Sequence, residues 1–196
     1  MSALAVEHQP PSGDDWDSVV HLWEEMDVPE GCKVEIIEGI ITVAPPPAND
    51  HNLIAVSVQR RLFKTIPDDW EVFQTLNLAV PNHSGIYIPD LAVVPREAVP
   101  RGENSTPADV AELVVEITSR SNAVNDRVAK LKGYASAGVP LYLLIDPHAT
   151  GSPTIHLYGE PEDGKYRVLW VGKFGEAVPL PGPFDLTLDT FSFLRP

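Results

Sequence analysis

The sequence predicts an α/β (α+β) domain with helices flanking a mixed central sheet and a β-rich C-terminal edge. The strand-like run LVVEIT at 113–118 is followed by a helix-like run at 122–137 and by the apolar run LYLLID at 141–146. This order fits a crossover between parallel strands buried in the sheet. Beyond it, short alternating segments separated by Gly and Pro indicate further strands, at 154–159, 166–172 and 184–187.

Length and composition fit one domain over residues 13–196, preceded by a loose, Pro-containing tail at 1–12. No apolar run approaches the roughly 20 residues of a membrane helix, and the N-terminal region lacks the basic and apolar parts of a signal peptide. The single cysteine, Cys32, has no partner for an internal disulfide, which agrees with a reducing compartment. We therefore expect a cytoplasmic protein that makes no membrane contact.

The net charge of −14 argues against a general nucleic-acid binder, because affinity for the phosphate backbone depends largely on Lys and Arg. Any such contact must be local. One local concentration of positive charge lies within residues 120–132 and comprises Arg120, Arg127, Lys130 and Lys132. It is either a solvated helix face or a contact surface beside a functional site.

The N-terminal third predicts a helix followed by a hairpin. Apolar residues recur at helical spacing over residues 14–26, and Ser12 or Asp14 is suited to cap this helix. Residues 33–44 alternate around Glu38-Gly39, where Gly supplies the positive φ that a tight turn requires.

The next segment predicts a second helix, two strands and a loop. Asn49 or Asp50 would cap the helix, which continues to Thr65 and buries one apolar stripe. That stripe consists of Leu53, Val56, Val58, Leu62 and Phe63. Strands are expected at 71–79 and 86–94, and the polar, Pro-rich residues 95–110 are expected to form a mobile loop.

Two acidic residues are embedded in apolar strand sequences. Alternation places Glu116 on one strand face with Val114 and Thr118, and Asp90 lies between IYIP and LAVV. Burying an unpaired carboxylate is costly, so such a residue ends a strand, is paired or holds a metal. A strand-end cap for Asp90 and a buried ion pair for Glu116 are the structural alternatives to a metal site.

The helix at 122–137 offers a cation to these acids. Asp126, Lys130 and Tyr134 are four residues apart and share one face, so Lys130 can point toward Glu116. The adjoining stripe of Val124, Val128, Leu131 and Ala135 is expected to be buried. Alternatively, Asp126 and Lys130 form only an exposed intrahelical ion pair, and Lys132 is a second candidate lysine. Two carboxylates and a lysine suffice for metal-assisted hydrolysis of a phosphodiester.

Together these motifs resemble the PD-(D/E)xK nuclease superfamily, and more closely its Uma2-type (DUF820) branch, over roughly residues 30–160. The resemblance involves VEIIEG at 34–39, His51, PDL at 89–91, VVEITS at 114–119, and a set of residues from Asp126 to Pro147 that includes Lys130. It implies a restriction-endonuclease-like fold. The basic superfamily pattern places a lysine two residues after Glu116, where this chain has Thr118. In the Uma2-like branch the lysine lies on the following helix, and Lys130 matches it.

The resemblance also implies an activity and a set of site residues. The expected reaction is metal-dependent endonucleolytic hydrolysis of nucleic acid, most simply DNA. Asp90 and Glu116 would be metal ligands, with the backbone carbonyl of Ile117 as a third and Glu35 nearby. Mg²⁺ is the expected ion, with Mn²⁺ able to substitute, and Lys130 would position water or stabilise developing charge.

Several alternatives stay open at the level of sequence. Glu35 and Glu38 equally fit the solvent face of a hairpin, and His51 would either contact phosphate or act as a cap or packing residue. The protein could be a catalytically inactive nuclease-fold binding or assembly protein. It could also act on RNA, a branched nucleic acid or a nucleotide. A two-fold homodimer, expected by analogy, would present two sites to two strands.

Overall fold

The computed structural model describes residues 13–120 and 122–194 of the chain. The tail predicted at 1–12, including Ser12, lies outside the described residues. Helices are α1 (Gly13–Glu24), α2 (Asn49–Leu62) and α3 (Leu131–Ser136). Strands are β1 (Lys33–Ile37), β2 (Ile40–Ala44), β3 (Trp70–Phe73), β4 (Leu78–Val80), β5 (Gly85–Tyr87), β6 (Leu91–Pro95), β7 (Thr106–Pro107), β8 (Leu113–Ile117), β9 (Leu141–Asp146), β10 (Thr154–Glu162), β11 (Lys165–Lys173), β12 (Val178–Leu180) and β13 (Leu186–Leu188).

A six-stranded sheet forms the centre of the molecule, in the order β11-β10-β9-β8-β6-β3. Strands β8 and β9 run parallel, with Glu116 opposite Leu144, and the other neighbouring pairs run antiparallel. The chain between β8 and β9 is helical, so the predicted crossover is confirmed. This helix ends where expected, because Gly138 follows it with a φ of 80°.

A five-stranded sheet, in the order β2-β1-β5-β4-β7, packs beside the central one. Its first two strands form the predicted hairpin, with Val34 paired to Val43. Both turn residues, Glu38 (φ 51°) and Gly39 (φ 80°), adopt the left-handed conformation. A two-residue turn of this kind matches the right-handed twist of the strands that it joins.

The strands predicted at 71–79 and 86–94 are each divided into two. Strands β3 and β6 belong to the six-stranded sheet, whereas β4 and β5 belong to the five-stranded sheet. The interruption between β5 and β6 contains Pro89, which lacks the backbone N–H that pairing in a sheet needs. The loop predicted at 95–110 was also only partly right, since it contains β7, which pairs in parallel with β4.

The two faces of the central sheet bury separate cores. One face carries Leu113, Val115 and Ile117 and packs against α2 and the hairpin formed by β12 and β13. The other carries Val114 and Tyr142 and packs against α3 and the five-stranded sheet. The predicted alternation of β8 is therefore confirmed, and Glu116 is on the face toward α3.

The prediction for α2 was wrong at its cap and only partly right in its stripe, where Val58 and Leu62 are buried as predicted. Its N-cap is Ala48 and has no side-chain hydrogen bond, so Asn49 and Asp50 lie inside the helix. The residues it buries are Ile54, Ala55, Val58 and Leu62. Leu53 is 64% exposed, and Val56 and Phe63 are also exposed, because at 3.6 residues per turn they lie on the side of the helix away from Val58 and Leu62. In the described part of the chain, no helix has the length and apolar character to cross a membrane.

Candidate functional site

A cavity of about 110 Å³ opens where β6 and β8 approach the start of α2. It brings together all five residues that sequence reasoning assigned to the site, with Lys33, His51 and Asp126 beside them. The five are Glu35, Asp90, Glu116, Ile117 and Lys130. They come from β1, from the segment 88–90 between β5 and β6, from β8 and from the helix after β8. The site therefore lies at the junction of the two sheets.

Asp90 faces Glu116 across neighbouring strands. Leu91 pairs with Val115 in the antiparallel ladder, so continuing that register by one residue places Asp90 opposite Glu116. Asp90 Oδ2 accepts a hydrogen bond from the backbone N–H of Ile117 at 2.7 Å. Residues directly opposite on one face are cross-strand neighbours, so the two carboxylates share one side of the sheet.

Two basic side chains also hold the carboxylate of Asp90. Lys33 Nζ donates to Oδ1 at 2.6 Å, and His51 Nε2 lies 2.9 Å from Oδ2. Burial acts to raise the pKa of Asp90, but the His51 hydrogen bond and the Lys33 charge outweigh it and hold the pKa below its usual value. Asp90 is therefore an anion in the folded protein.

Lys130 is buried at the centre of an acidic cluster and is 2% exposed. Its Nζ lies 2.7 Å from Glu35 Oε1, 3.0 Å from Glu116 Oε1 and 3.4 Å from Asp126 Oδ1. Burial acts to lower its pKa, but the charges of Glu116, Glu35 and Asp126 raise it well above the usual value. Lys130 is thus a fixed cation within the site, which excludes the alternative of an exposed intrahelical pair.

One ammonium does not balance the three carboxylates around it. Burial is the largest cause that raises the pKa of Glu116 well above its usual range, and the charges of Asp126, Asp90 and Glu35 add to it against the effect of Lys130. Burial likewise raises the pKa of Asp126 to about 6, with Lys130 opposing and Asp90 and Glu35 adding. The cluster is therefore short of positive charge.

The helix after β8 begins with a widened, π-helical turn at Asn125–Lys130. This turn buries Asp126 and Lys130 and leaves Val124 and Val128 exposed, so the predicted buried stripe at those two valines was wrong. The Tyr142 hydroxyl donates to the carbonyl oxygen of Asp126 at 2.8 Å. Such turns are frequently found at functional sites, and here the turn directs two charged side chains inward.

Tyr134 continues the same face one turn later. Its hydroxyl donates to Glu116 Oε1 at 3.2 Å, so Glu116 Oε1 receives both Tyr134 and Lys130. Glu116 Oε2 takes part in neither contact. Asp126, Lys130 and Tyr134 therefore share the predicted face and orient toward Glu116.

The basic cluster predicted at 120–132 does not form one contact surface. Arg127 pairs with Asp146 through two hydrogen bonds of 2.8 and 2.9 Å, and Lys130 is internal. Thr118, at the lysine position of the basic superfamily pattern, donates to Asp146 Oδ1 at 2.7 Å. Lys132 is exposed and does not line the cavity.

Lys33 and Asp126 line the site although sequence reasoning gave them no role in binding or catalysis. A signal for Lys33 was present, because Lys33 and Glu35 are two residues apart on a strand and share one face. Of the two interpretations of Glu35, the solvent-facing one was wrong, since Glu35 is buried and accepts from the backbone N–H of Ile88 at 2.7 Å. His51 contacts Asp90, and its buried Nδ1 has no hydrogen-bond partner in the described residues.

The model of the Uma2 family, described as "Putative restriction endonuclease", matches residues 20–190 of the chain. The chain belongs to the Uma2 family. A solved structure titled "Crystal structure of a putative nuclease belonging to DUF820 from Anabaena variabilis ATCC 29413" superposes with a TM-score of 0.67 at 22% identity, covering 92% of this chain and 98% of that chain. This likeness confirms the predicted fold. No curated protein matches the chain.

The donor set of this Uma2 chain fits a hard divalent cation. Four carboxylates line the cavity against two lysines, and burial, together with the charges of the neighbouring carboxylates, raises the pKa of Glu116 well above its usual range. In residues 13–120 and 122–194, no three His, Cys, Asp or Glu side chains are grouped to hold a metal by themselves. Mg²⁺ does not need such a group, because it is commonly held by one or two carboxylates and retains several waters.

Proposed function

We propose that this Uma2 protein is a Mg²⁺-dependent endonuclease that hydrolyses phosphodiester bonds of DNA. The observation that supports the proposal is the convergence of Glu35, Asp90, Glu116 and Lys130 on one cavity at the end of the central sheet. Family membership supports a nuclease, and the carboxylate-rich cavity supports a metal-dependent one. The proposed Mg²⁺ could be replaced by Mn²⁺, which also accepts oxygen ligands.

Asp90 and Glu116 would hold the cation, together with the backbone carbonyl of Ile117, and Glu35 would lie close by. A carboxylate oxygen can accept about two contacts. Asp90 Oδ1 has one, from Lys33, and Glu116 Oε2 takes no part in the Lys130 and Tyr134 contacts. Both carboxylates therefore retain acceptor capacity. When bound, the cation would lower the pKa of a coordinated water and offset charge on the phosphoryl oxygens.

The protein's own residues would prepare the site for this chemistry. Lys33 and His51 fix the orientation of the Asp90 carboxylate, and Tyr134 fixes Glu116. Lys130 stays charged and holds Glu35 and Glu116 together. Its ammonium would be close enough to position the attacking water or to stabilise charge that develops on phosphate.

The size of the cavity limits what enters it. The volume of the cavity is about 110 Å³, which is enough for several waters. It suits a hydrated cation or one phosphate group, and it is too small for a paired base step. Bases and flanking phosphates would therefore contact the surface around the cavity. A two-fold dimer that aligns two cavities with two strands remains a prediction.

The direct test is cleavage of supercoiled plasmid and of single-stranded DNA with Mg²⁺, with Mn²⁺ or with EDTA. We expect divalent-dependent cleavage that Asp90→Asn and Glu116→Gln abolish, because each keeps the side-chain volume but removes the negative charge. Glu97→Gln, on an exposed turn outside the cavity, is the matched control and should cleave like the wild type. Cleavage that persists in both site variants, or in EDTA, would contradict the proposal.

A catalytically inactive binding or assembly protein is the second candidate, and the same network supports it. Asp90, Lys130 and Glu35 are already paired within the protein, as in a purely structural ion cluster, and the net charge of −14 opposes nucleic-acid binding. Calorimetric titration with MgCl₂ separates the two candidates. A heat of Mg²⁺ binding that is present in the wild type and absent in Glu116→Gln supports the metal-dependent nuclease. No heat of binding in the wild type supports the catalytically inactive protein.

A further inference from the structure

The exposed side of α2 forms one wall of a groove that lies outside the cavity. The groove has a volume of about 890 Å³ and is bounded on its other side by Pro147, Pro153 and the C-terminal residues around Phe193. Leu53 and Val56, the apolar residues of α2 that do not reach the core, face it. An exposed apolar strip of this kind is available for contact with a partner.

The groove is locally basic in an acidic protein. Arg60, Arg61 and Lys64 line it, against the two carboxylates of Asp50 and Asp189. Arg61 lies 3.9 Å from Asp189. Arg60 and Lys64 are exposed and form no ion pair with any residue in the described ranges. Two cations are thus available at the C-terminal end of α2 and in the turn after it, in a chain whose net charge is −14.

The groove and the cavity both use the first turn of α2 as part of their walls. His51, in the first turn of α2, lines the cavity, and its neighbour Asp50 lines the groove. At 1.5 Å per residue along a helix, Arg60 lies about 14 Å from His51 along the axis of α2, and Lys64 follows in the turn after the helix. Phosphates of one strand advance about 3.4 Å along the duplex axis, so the distance to Arg60 corresponds to roughly four nucleotides.

We propose that this groove carries the sugar-phosphate backbone of the nucleic acid that enters the cavity. Arg60 would contact a phosphate about four nucleotides from the reacting bond, Lys64 would contact a phosphate beyond it, and Leu53 and Val56 would contact sugar or base faces. The proposal rests on the proposed function and adds the binding surface that a small cavity needs. The charge of the groove favours nucleic acid as its ligand, because two unpaired cations in an apolar groove attract a polyanion.

The test is fluorescence anisotropy with a labelled 20-base-pair duplex and the corresponding single strand, in EDTA so that no cleavage occurs. We compare the wild type with Arg60→Gln/Lys64→Gln and with the matched control Lys132→Gln/Lys165→Gln. The control lysines are exposed on α3 and β11, away from the groove. The groove variant should bind roughly tenfold more weakly at low salt, and its duplex salt slope should fall by about 1.8. The control should match the wild type.

Each outcome either supports or overturns the groove proposal, and it can be interpreted independently of the cleavage assay. Equal affinity of both double variants overturns the groove, although Mg²⁺-dependent cleavage by the wild type would still stand. Wild-type protein that binds no duplex or single strand also overturns it. Sedimentation velocity tests whether the groove instead binds a second copy of the chain. If the wild type self-associates and only the groove variant dissociates, with its DNA affinity unchanged, the groove is an interface between copies and the proposal is wrong.

Discussion

At the residue scale, the single side chain of Lys130 connects the acidic residues of the site, since it pairs with three carboxylates. Sequence spacing predicted its direction, because Asp126, Lys130 and Tyr134 recur every four residues. Spacing did not reveal that Lys130 reaches Glu35 at 2.7 Å, because that contact depends on how the five-stranded sheet packs against the helix. The contacts of Lys33 and His51 with Asp90 are equally long-range. Local patterns therefore found the acids and the lysine, whereas their partners required the tertiary structure.

Replacing Lys130 should destabilise the protein. Lys130→Met leaves Glu35, Glu116 and Asp126 buried without their cation, and breaking a buried pair costs about 3–5 kcal/mol. Urea unfolding at pH 7.5 measures the loss, with Lys132→Met as a matched control on the exposed side of the next helical turn. A loss below about 1 kcal/mol would show that the cluster contributes little.

Asp126 should make stability depend on pH. Its pKa rises from 3.8 to about 6 on folding, so the folded state binds more protons than the unfolded state between these values. Stability should therefore decrease as pH rises from about 4 to 6, by about 1.4 kcal/mol per unit of pKa shift. Asp126→Asn should flatten this part of the curve in EDTA and raise the free energy of unfolding at pH 7.5 by about 1–3 kcal/mol. An unchanged profile in the variant would contradict the assignment.

At the element scale, the errors of prediction have two origins. Hydrophobic spacing located α2 and the helix after β8, but the stripes were only partly right, because an apolar residue is not obliged to face the core. Leu53 lies in the groove and Val124 is exposed. The strand runs around 71–79 and 86–94 were also found, yet each changes sheet partway. A sheet change leaves no period in the sequence, because both halves remain extended.

The π-helical turn should depend on Tyr142. Tyr142→Phe removes the hydrogen bond to the carbonyl oxygen of Asp126, and the net loss of one such hydrogen bond costs about 0.5–1.5 kcal/mol. Tyr87→Phe is the matched control, because the Tyr87 hydroxyl is buried and has no hydrogen-bond partner in the described residues. Urea unfolding should show a loss for Tyr142→Phe only, and the Tyr87 variant should be as stable as the wild type or more stable. Equal losses would argue against a specific role for Tyr142.

At the scale of the whole molecule, a bound cation should stabilise the fold. The cavity joins β1, β8 and the helix after β8, so a ligand there binds the folded state selectively. At a hundred times its Kd, Mg²⁺ would add about 2.7 kcal/mol, which corresponds to a rise in Tm of about 5–10 °C for a chain of this size. Calorimetric melting in MgCl₂ and in EDTA measures it. The same rise in Glu116→Gln would show that the ion binds elsewhere.

The position of the charged cluster has a consequence for how members of such a lineage would diverge. Glu35 belongs to one sheet and Glu116 to the other, and Lys130 bridges them, so the same atoms would serve both the proposed chemistry and the cohesion of the fold. A descendant that no longer cuts anything would still be under selection to keep these charges, because losing one would separate two layers of its own structure. Retention of the motif would then report architecture as much as activity.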